Sequence, residues 1–203
     1  MDEKIFHRRD IVFEAALDEF TTNDYEKASL NTIIKKAGIS KGVFYYHFEN
    51  KESLYLSLLK IGAEAKWKYI NEQTGNHAID FNAMDIFDKF IYQAELGAGF
   101  AALYPKYQAL SRMLSKEKNN PIYQTAMNYL GTNSNDMIAA LIKESIERHE
   151  LKPEFDENFI YKVLRHLLLE FDQIFDEESD HEIDKVLDNL KKYVSFIKYG
   201  LKA

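Results

Sequence analysis

The chain has 203 residues, of which 46% are hydrophobic and 29% are charged; its net charge is −7 and it contains no cysteine. A chain of this length can bury a substantial core in one or two domains. The lack of cysteine excludes disulfide bonds and thiolate metal sites, and no apolar run is long enough to span a bilayer. The first residues, MDEKIFHRRD, carry no apolar signal segment. We therefore expect a cytoplasmic protein with no membrane partner.

The charge is unevenly distributed. Residues 27–51 contain five lysines and one glutamate, a local charge of +4, so the remaining residues carry −11. A basic surface on an acidic body is typical of a protein that touches phosphate at one end. The alternative is a face of lysines that are simply solvated.

Apolar residues recur at spacings of three and four, and proline is scarce, so we predict an all-α protein. The first helix runs from about residue 3 to residue 20. Ser29 is the N-cap of a second helix over residues 30–37, which Gly38 ends in a left-handed conformation. Ser40 caps a third, short helix, and Asn50 caps a fourth that runs from residue 51 to about residue 73. The second and third helices with the turn between them form a helix-turn-helix unit.

Larger helices follow. We predict helices over about residues 82–103 and 105–115. Asn120 and Pro121 then signal a helix start. Beyond them the apolar residues continue at an unbroken helical spacing. We therefore favour one helix to about residue 148 over two separate helices, despite Gly131. Asp156 caps a helix to about residue 175, and Asp180 caps the last, to about residue 199.

The stretch ISKGVFYYHFENK places four aromatic rings and a histidine in consecutive positions. On a helix, Phe44 and Phe48 share one face and are predicted to be core residues. Tyr45, Tyr46 and His47, here called the aromatic edge, are then held outward. Their hydroxyl and ring N–H groups can donate to phosphate oxygens. The alternative for the tyrosines is packing as a half-buried pair against a neighbouring element.

Other residues near this edge suit DNA. Ser40, Lys41 and Gly42 form a helix N-terminus that favours an anion, and Gly42 allows close approach of the backbone. Val43 can meet a thymine methyl group. The remaining candidates for contact with the DNA backbone are Lys51 and, secondarily, Thr32 and Lys36.

The segments RRDIVFEAALDEF and DYEKASLNTIIKKAGISKGVFYYHFENKESLYLSLL resemble the DNA-binding domain of TetR-family transcriptional regulators over roughly residues 8–60. One departure is Asp24, where the family usually has glycine. The resemblance implies that Tyr45, Tyr46, His47 and Lys51 contact the DNA backbone. It also implies a helix-turn-helix domain over residues 1–50 and a helical effector-binding and dimerisation domain over residues 51–203.

The middle helices are rich in rings and thioethers, a composition typical of apolar ligand pockets. We predict a pocket for a small apolar or aromatic effector; ordinary core packing is the alternative for each residue. Gly97 and Gly99 are predicted to mark a close helix crossing or a wall of the pocket. The predicted pocket residues are Trp67, Phe90, Phe100, Tyr104, Tyr107, Met113, Tyr123 and Met127.

The last two helices carry a broad apolar surface, which predicts a homodimer; core packing within one subunit is the alternative. The predicted interface residues are Leu164, Leu168, Phe171, Phe175, Leu187, Leu190, Val194 and Ile197.

These features predict a ligand-responsive transcriptional regulator, with repression as the family default. It would bind a pseudo-palindromic double-stranded DNA operator as a homodimer and be released by the effector. No metal-ligand spacing, phosphate-binding loop or nucleophile motif is present, so we expect neither enzymatic activity nor a cofactor. The alternative is a helical protein-interaction module that has the same fold but neither an effector pocket nor DNA binding.

Overall fold

A computed structural model describes residues 2–76, 81–131, 134–169 and 183–200. All regular structure in these ranges is helical, which confirms the all-α prediction. None of the described helices is both long and apolar enough to cross a bilayer. The α-helices are α1 (Asp2–Thr22), α2 (Leu30–Lys36), α3 (Lys41–His47), α4 (Lys51–Asn76), α5 (Ile86–Leu103), α6 (Pro105–Lys116), α7 (Pro121–Leu130), α8 (Ser134–Glu147), α9 (Glu157–Leu169) and α10 (Ile183–Tyr199).

The predicted helix caps are present. Ser29 Oγ accepts a hydrogen bond from the backbone N–H of Thr32, and Ser40 Oγ accepts one from Val43, each at 3.3 Å. Asn50 Oδ1 accepts from the N–H of Ser53 at 2.8 Å. Each bond satisfies a backbone donor that the first turn of a helix leaves free. These bonds place the starts of α2, α3 and α4 where the sequence predicts them.

Residues 1–71 and 100–131 pack as one compact unit, here called the first unit. Its core is continuous from the N-terminal helices to α6 and α7, and α1 packs against both α2 and α6. The division predicted at residue 50 is therefore not a gap in packing, and it stays a prediction about function. The largest fully buried side chains of this unit are Tyr55, Phe20, Phe44, Ile33, Leu54, Leu58, Leu110 and Val12.

Residues 72–99 and 132–203 form the second unit. Its core contains Ile86, Ile142 and Leu164. The ammonium of Lys89 is buried and lies 2.6 Å from Oε1 of Glu144, which joins α5 to α8. In the same unit, the Tyr193 hydroxyl donates to the carbonyl of Leu167 at 3.0 Å.

The prediction of one helix after Pro121 is wrong. Gly131 has a φ of +61°, and its N–H closes the last turn of α7 on the carbonyl of Met127 at 3.2 Å. A left-handed residue ends a helix whatever the apolar phase around it, and glycine adopts that conformation without a steric penalty.

The helix predicted from residue 82 also begins later. A 3-10 turn covers Phe81–Ala83, and Asp85 Oδ1 then accepts from the N–H groups of Phe87 and Asp88, both at 2.9 Å. Asp85 is thus the N-cap of α5. Asp156 caps α9 as predicted, accepting from Phe159 N–H at 3.0 Å. The cap predicted at Asp180, and the end of the preceding helix near residue 175, lie outside the described residues.

Candidate nucleic-acid interface

The turn between α2 and α3 sets the angle of the short third helix. Gly38 has a φ of +64° and its N–H donates to the carbonyl of Lys35, while Ile39 N–H donates to Ile34. This pair of bonds is a Schellman motif, in which the residue after the glycine packs back on the helix. Ile39 accordingly lies against the core of the first unit. α3 is therefore held at a fixed angle to α2, as a helix-turn-helix unit requires.

The two phenylalanines of α3 are core residues, as predicted. Phe44 is fully buried and Phe48 nearly so, with ring centroids 5.5 Å apart. Phe13 of α1 meets Phe48 edge-on at 5.6 Å. Their burial anchors α3 on α1, so the opposite side of α3 faces solvent.

The aromatic edge is on that solvent side. Tyr45 is 56% exposed and Tyr46 is 77% exposed, although tyrosine rings usually bury most of their area. His47 is half-buried and meets the Tyr46 ring edge-on at 5.0 Å. Three groups that can donate hydrogen bonds thus stand together on one short helix whose position is fixed from behind.

The N-terminal end of α3 is exposed to solvent as well. Ser40, Lys41 and Gly42 are exposed, and Val43 is half-buried. A Cβ built on Gly42 would meet only Ser40 Oγ, at 3.8 Å, which is ordinary contact. The protein itself does not need a glycine there.

Lys51 is engaged within the protein. Its ammonium donates to the backbone carbonyls of Tyr25 at 2.7 Å and Ala28 at 3.1 Å. It also lies 4.4 Å from the centroid of the Tyr25 ring. An ammonium has three donors, so these acceptors take most of its capacity. Lys51 closes the loop between α1 and α2, residues 23–29, here called the entry loop; its contact with phosphate stays a prediction.

Lys36 is also paired. Its ammonium lies 2.6 Å from Oδ2 of Asp18 on α1, and Lys106 of α6 lies 2.7 Å from the other oxygen. Hydrogen bonds from Lys106 and then Lys36 hold the pKa of Asp18 below its usual value. Thr32, the other secondary candidate, is exposed on α2. A phosphate would have to compete with Asp18 for Lys36.

Two carboxylates that were not predicted from the sequence also hold the entry loop. Glu117 Oε1 accepts from Tyr25 N–H at 2.8 Å, and Glu19 Oε1 accepts from Ser29 N–H at 2.9 Å. Glu117 follows α6, 92 residues from Tyr25, so no local pattern points to it. Burial within this cluster raises the pKa of the Tyr25 hydroxyl to about 12. Asp24, the departure from the family pattern, binds Lys27 locally at 2.7 Å.

The residues predicted to line an effector pocket are divided between the two units. Phe90 packs in the second unit, and the other seven belong to the first. There, Phe100 stacks on Tyr104 with centroids 4.9 Å apart. Gly97 was predicted, with Gly99, to mark a close helix crossing or a wall of the pocket, and a Cβ on Gly97 would meet nothing within 4 Å. Of the rest, Tyr107, Tyr123 and Met127 pack against the core, Met113 is half-buried and Trp67 is exposed.

The close crossing lies instead at Gly62, which was not predicted from the sequence. A Cβ on Gly62 would lie 3.0 Å from Cδ1 of Tyr107, so α4 approaches the Tyr107 side chain of α6 closely at this point, and a larger residue would require that ring to shift. A lone glycine inside a strong helical pattern was the available signal.

Several residues predicted for the dimer interface are already covered within the chain. Leu164, Leu190 and Val194 are buried, and Leu187 and Ile197 are half-buried. Burial of Leu164, Leu190 and Val194 within the subunit agrees with the alternative of core packing, and the dimer interface stays a prediction. Phe171, Phe175 and the side chain of Leu168 lie outside the described residues.

Other apolar side chains are exposed in this region. Three exposed apolar side chains are spaced four apart, the first just before α9 and the other two on it. They are Phe155, Phe159 and Val163, here called the α9 stripe. The rings of Phe155 and Phe159 stack with centroids 5.3 Å apart. Phe196 of α10 is exposed as well.

Residues 12–58 match the model of the bacterial regulatory proteins of the tetR family. They contain the helix-turn-helix unit, its buried phenylalanines and the exposed aromatic edge. These residues are a DNA-binding domain of the TetR family. The chain is accordingly a DNA-binding transcriptional regulator and not an enzyme.

Relatives of known name agree with this membership. The chain is 29% identical to the HTH-type transcriptional regulator QacR of Staphylococcus aureus (strain Mu50 / ATCC 700699) over 136 residues, which are 67% of this chain and 69% of that protein. A TetR family transcriptional regulator from Chloroflexus aurantiacus J-10-FL has the same fold, with a TM-score of 0.70 and 23% identity over 98% of this chain and 96% of that one. The regulator FadR of Bacillus subtilis, solved with stearoyl-CoA, has a TM-score of 0.61 and 17% identity over 95% and 98%.

Proposed function

We propose that this TetR-family protein is a ligand-responsive repressor. It binds a pseudo-palindromic operator as a homodimer and is released by a small effector with a large apolar part. The observation that carries DNA binding is the aromatic edge, which stands exposed on a helix fixed from behind by Phe44 and Phe48. A protein seated on an operator blocks transcription from it, and this is the basis for proposing repression.

Each part of the helix-turn-helix unit has a task in this proposal. Ser40, Lys41 and Gly42 bring the open N-terminus of α3 to the DNA, with Val43 available for a thymine methyl group. Tyr45, Tyr46 and His47 donate to phosphate oxygens and set the register. Thr32 and Lys36 extend the contact from α2, where Lys36 exchanges Asp18 for a phosphate. Lys51 supports the entry loop and can approach a flanking phosphate.

The α9 stripe supports dimerisation. Its rings are exposed in a single subunit, and contiguous exposed apolar groups mark interaction surfaces. Two subunits joined here would present two copies of α3, as a two-fold symmetric operator requires. Equilibrium sedimentation tests this point: the wild type is expected to be a dimer at micromolar concentration, and the double substitution Phe159→Glu with Val163→Glu is expected to shift it to monomer. A wild type that stays monomeric would rule out the homodimer.

The effector class follows from the aromatic side chains of the middle helices and from the ligand of one structural neighbour. Four such residues lie in the first unit: Trp67 on α4, Phe100 on α5, Tyr104 at the N-cap of α6 and Tyr107 on α6. FadR of B. subtilis was solved in complex with stearoyl-CoA. In our proposal the effector favours a conformation in which α4 has moved and the two copies of α3 no longer match the half-site spacing. Long-chain acyl-CoA thioesters and apolar aromatic compounds are the first probes to test in release from DNA.

DNA binding is tested with the DNA upstream of the protein's own gene and with duplexes selected from a random pool. The wild type is expected to select a two-fold symmetric site, and its affinity is expected to fall steeply with salt. Tyr46→Phe removes only a hydroxyl, so it should weaken operator binding about two- to tenfold without unfolding the protein. Tyr129→Phe, on the exposed side of α7, is the matched control and should have no effect.

The second candidate function is a helical protein-interaction module with this fold but without DNA binding. The internal engagement of Lys36 and Lys51 is the observation that favours it, because it removes two cations from the predicted DNA surface. Failure to select any duplex, with the dimer intact, would support this alternative over the repressor.

A further inference from the structure

Arg9, which lies on α1 outside the helix-turn-helix unit, is linked to the C-terminal end of α3 through Phe13. Its guanidinium carbon lies 5.1 Å from the centroid of the Phe13 ring, one helical turn further along α1. Phe13 in turn meets Phe48 edge-on at 5.6 Å. Phe48 directly follows His47 and is the C-cap of α3. Two aromatic contacts therefore lead from Arg9 to Phe48, the residue that follows the aromatic edge.

The charges of α1 are separated onto different rows. Asp10, Glu14 and Asp18 are spaced four apart and line one groove with Lys36. Lys106 pairs with the last two of them, each at 2.7 Å. Neighbouring positions on a helix do not face each other, so the row of Arg9 and Phe13 lies beside the carboxylate row and not on it. The row that carries the arginine includes Phe13, which contacts Phe48 at the end of α3.

Arg9 also differs from the two lysines first assigned to the DNA backbone. Lys36 is paired with Asp18, and Lys51 donates to the carbonyls of the entry loop. Arg9 is exposed, and among the described side chains no carboxylate lies within ion-pair distance of its guanidinium. Its guanidinium lies within cation–π distance of the Phe13 ring, and such a contact leaves the N–H donors of an arginine available to another group.

We propose that Arg9 is a further DNA-binding residue, which contacts a phosphate of the operator next to those held by the aromatic edge. This inference rests on the proposed DNA binding. A phosphate backbone that follows Tyr45 to His47 continues past the end of α3, where Arg9 lies. A guanidinium binds a phosphate through two parallel N–H donors. Because Arg9 is not on the recognition helix, its contact positions the protein and does not read bases.

The test uses the full-length protein and an operator duplex selected from a random pool by the wild type. Affinity is measured from about 0.05 to 0.2 M KCl for the wild type, Arg9→Gln and Arg9→Lys. Each phosphate contact contributes about −0.9 to the slope of log K against log salt. Arg9→Gln should reduce the size of that slope by about one per subunit and weaken binding about tenfold at about 0.1 M salt. Arg9→Lys keeps the charge and should retain the slope.

Arg112→Gln is the matched control, because it removes the same charge from an exposed arginine of α6. It should leave the slope unchanged. An Arg9→Gln protein that has the wild-type slope would overturn the inference, and so would an effect confined to one base position of the operator. A wild type that binds no duplex would overturn both the repressor and this inference, so the two failures are distinguishable.

Discussion

The ammonium of Lys51 donates to the backbone carbonyl of Tyr25 at 2.7 Å and lies 4.4 Å from the ring of the same residue. The lysine thus holds both the backbone and the side chain of the entry loop. A residue at the start of α4 has become part of the support for α2, whose N-cap is the last residue of this loop.

Lys51→Met is expected to lower the free energy of unfolding by about 1–3 kcal/mol, because it leaves half-buried carbonyls without donors. Chemical denaturation monitored by circular dichroism measures this change. Lys51→Arg, which keeps a donor group, should recover part of the loss. If Lys51→Met weakens operator binding with no loss of stability, Lys51 contacts phosphate directly, as the family resemblance implies.

Gly42→Ala should separate stability from DNA binding. The position is helical and open, so alanine should raise the stability of the protein by about 0.5–1 kcal/mol through its better helix propensity. It should weaken operator binding if the DNA backbone approaches Gly42 as proposed. Thermal denaturation and gel-shift titration measure the two effects.

Gly38→Ala is the control for that experiment. Its φ of +64° strains any residue with a Cβ, so this substitution should destabilise the protein. Increased stability with unchanged DNA affinity for Gly42→Ala would contradict the close approach.

The Lys89–Glu144 pair in the second unit offers a test of buried charge. Lys89 is only 2% exposed, and its hydrogen bond holds the pKa of Glu144 below its usual value. Glu144→Gln leaves a buried ammonium without its counter-charge, which should cost about 3–5 kcal/mol. Lys89→Met combined with Glu144→Gln removes both charges and should recover most of that loss. If the double variant is no more stable than Glu144→Gln alone, the unpaired charge of Lys89 is not the cause of the lost stability.

Stability should fall at acid pH through Asp18. Its pKa is held below its usual value by hydrogen bonds from Lys106 and Lys36. A carboxylate with a lowered folded-state pKa contributes stability that is complete above its unfolded-state pKa of about 3.9 and is lost as the pH falls through the folded-state value. Because the groups are largely exposed, the effect should be small and reduced by salt.

Asp18→Asn is the variant that isolates this contribution. Its unfolding free energy should show a shallower decrease than that of the wild type below about pH 4, where Asp18 binds a proton first in the unfolded wild-type chain and, at lower pH, in the folded protein. Parallel curves for the two proteins in that range would show that Asp18 does not contribute.

Local chemistry made the helix-turn-helix unit predictable. The caps and the turn of this unit depend on hydrogen bonds between residues at most five apart, at Ser29, Gly38, Ser40 and Asn50. A helical wheel is enough to place Phe44 and Tyr46 on different faces of α3. Contacts between distant segments were not predictable in this way. Glu117 reaches Tyr25 only because α6 packs on α1, and nothing near either residue in the chain indicates the pairing.

The dimer surface shows a different limit. Apolar spacing identifies the faces of α9 and α10 that are buried, but it does not say whether the covering partner is the same chain or a second one. The structure assigns Leu164 and Val194 to the subunit's own core and leaves Phe159 exposed.

The end of α7 could not be predicted from apolar spacing either. The helical spacing of apolar residues continues across Gly131, yet this one left-handed residue ends the helix.

The hydrogen bond from Tyr25 to Glu117 also affects when the entry loop can fold during synthesis of the chain. The entry loop precedes α2, but one of its anchors is synthesised 92 residues later. A chain emerging from the ribosome therefore lacks this anchor until α6 has been translated. Contacts between distant positions form late and slow folding. We expect a fragment that ends near residue 60 to fold poorly by itself, so grafting it onto another regulator would require a matching carboxylate from the new host.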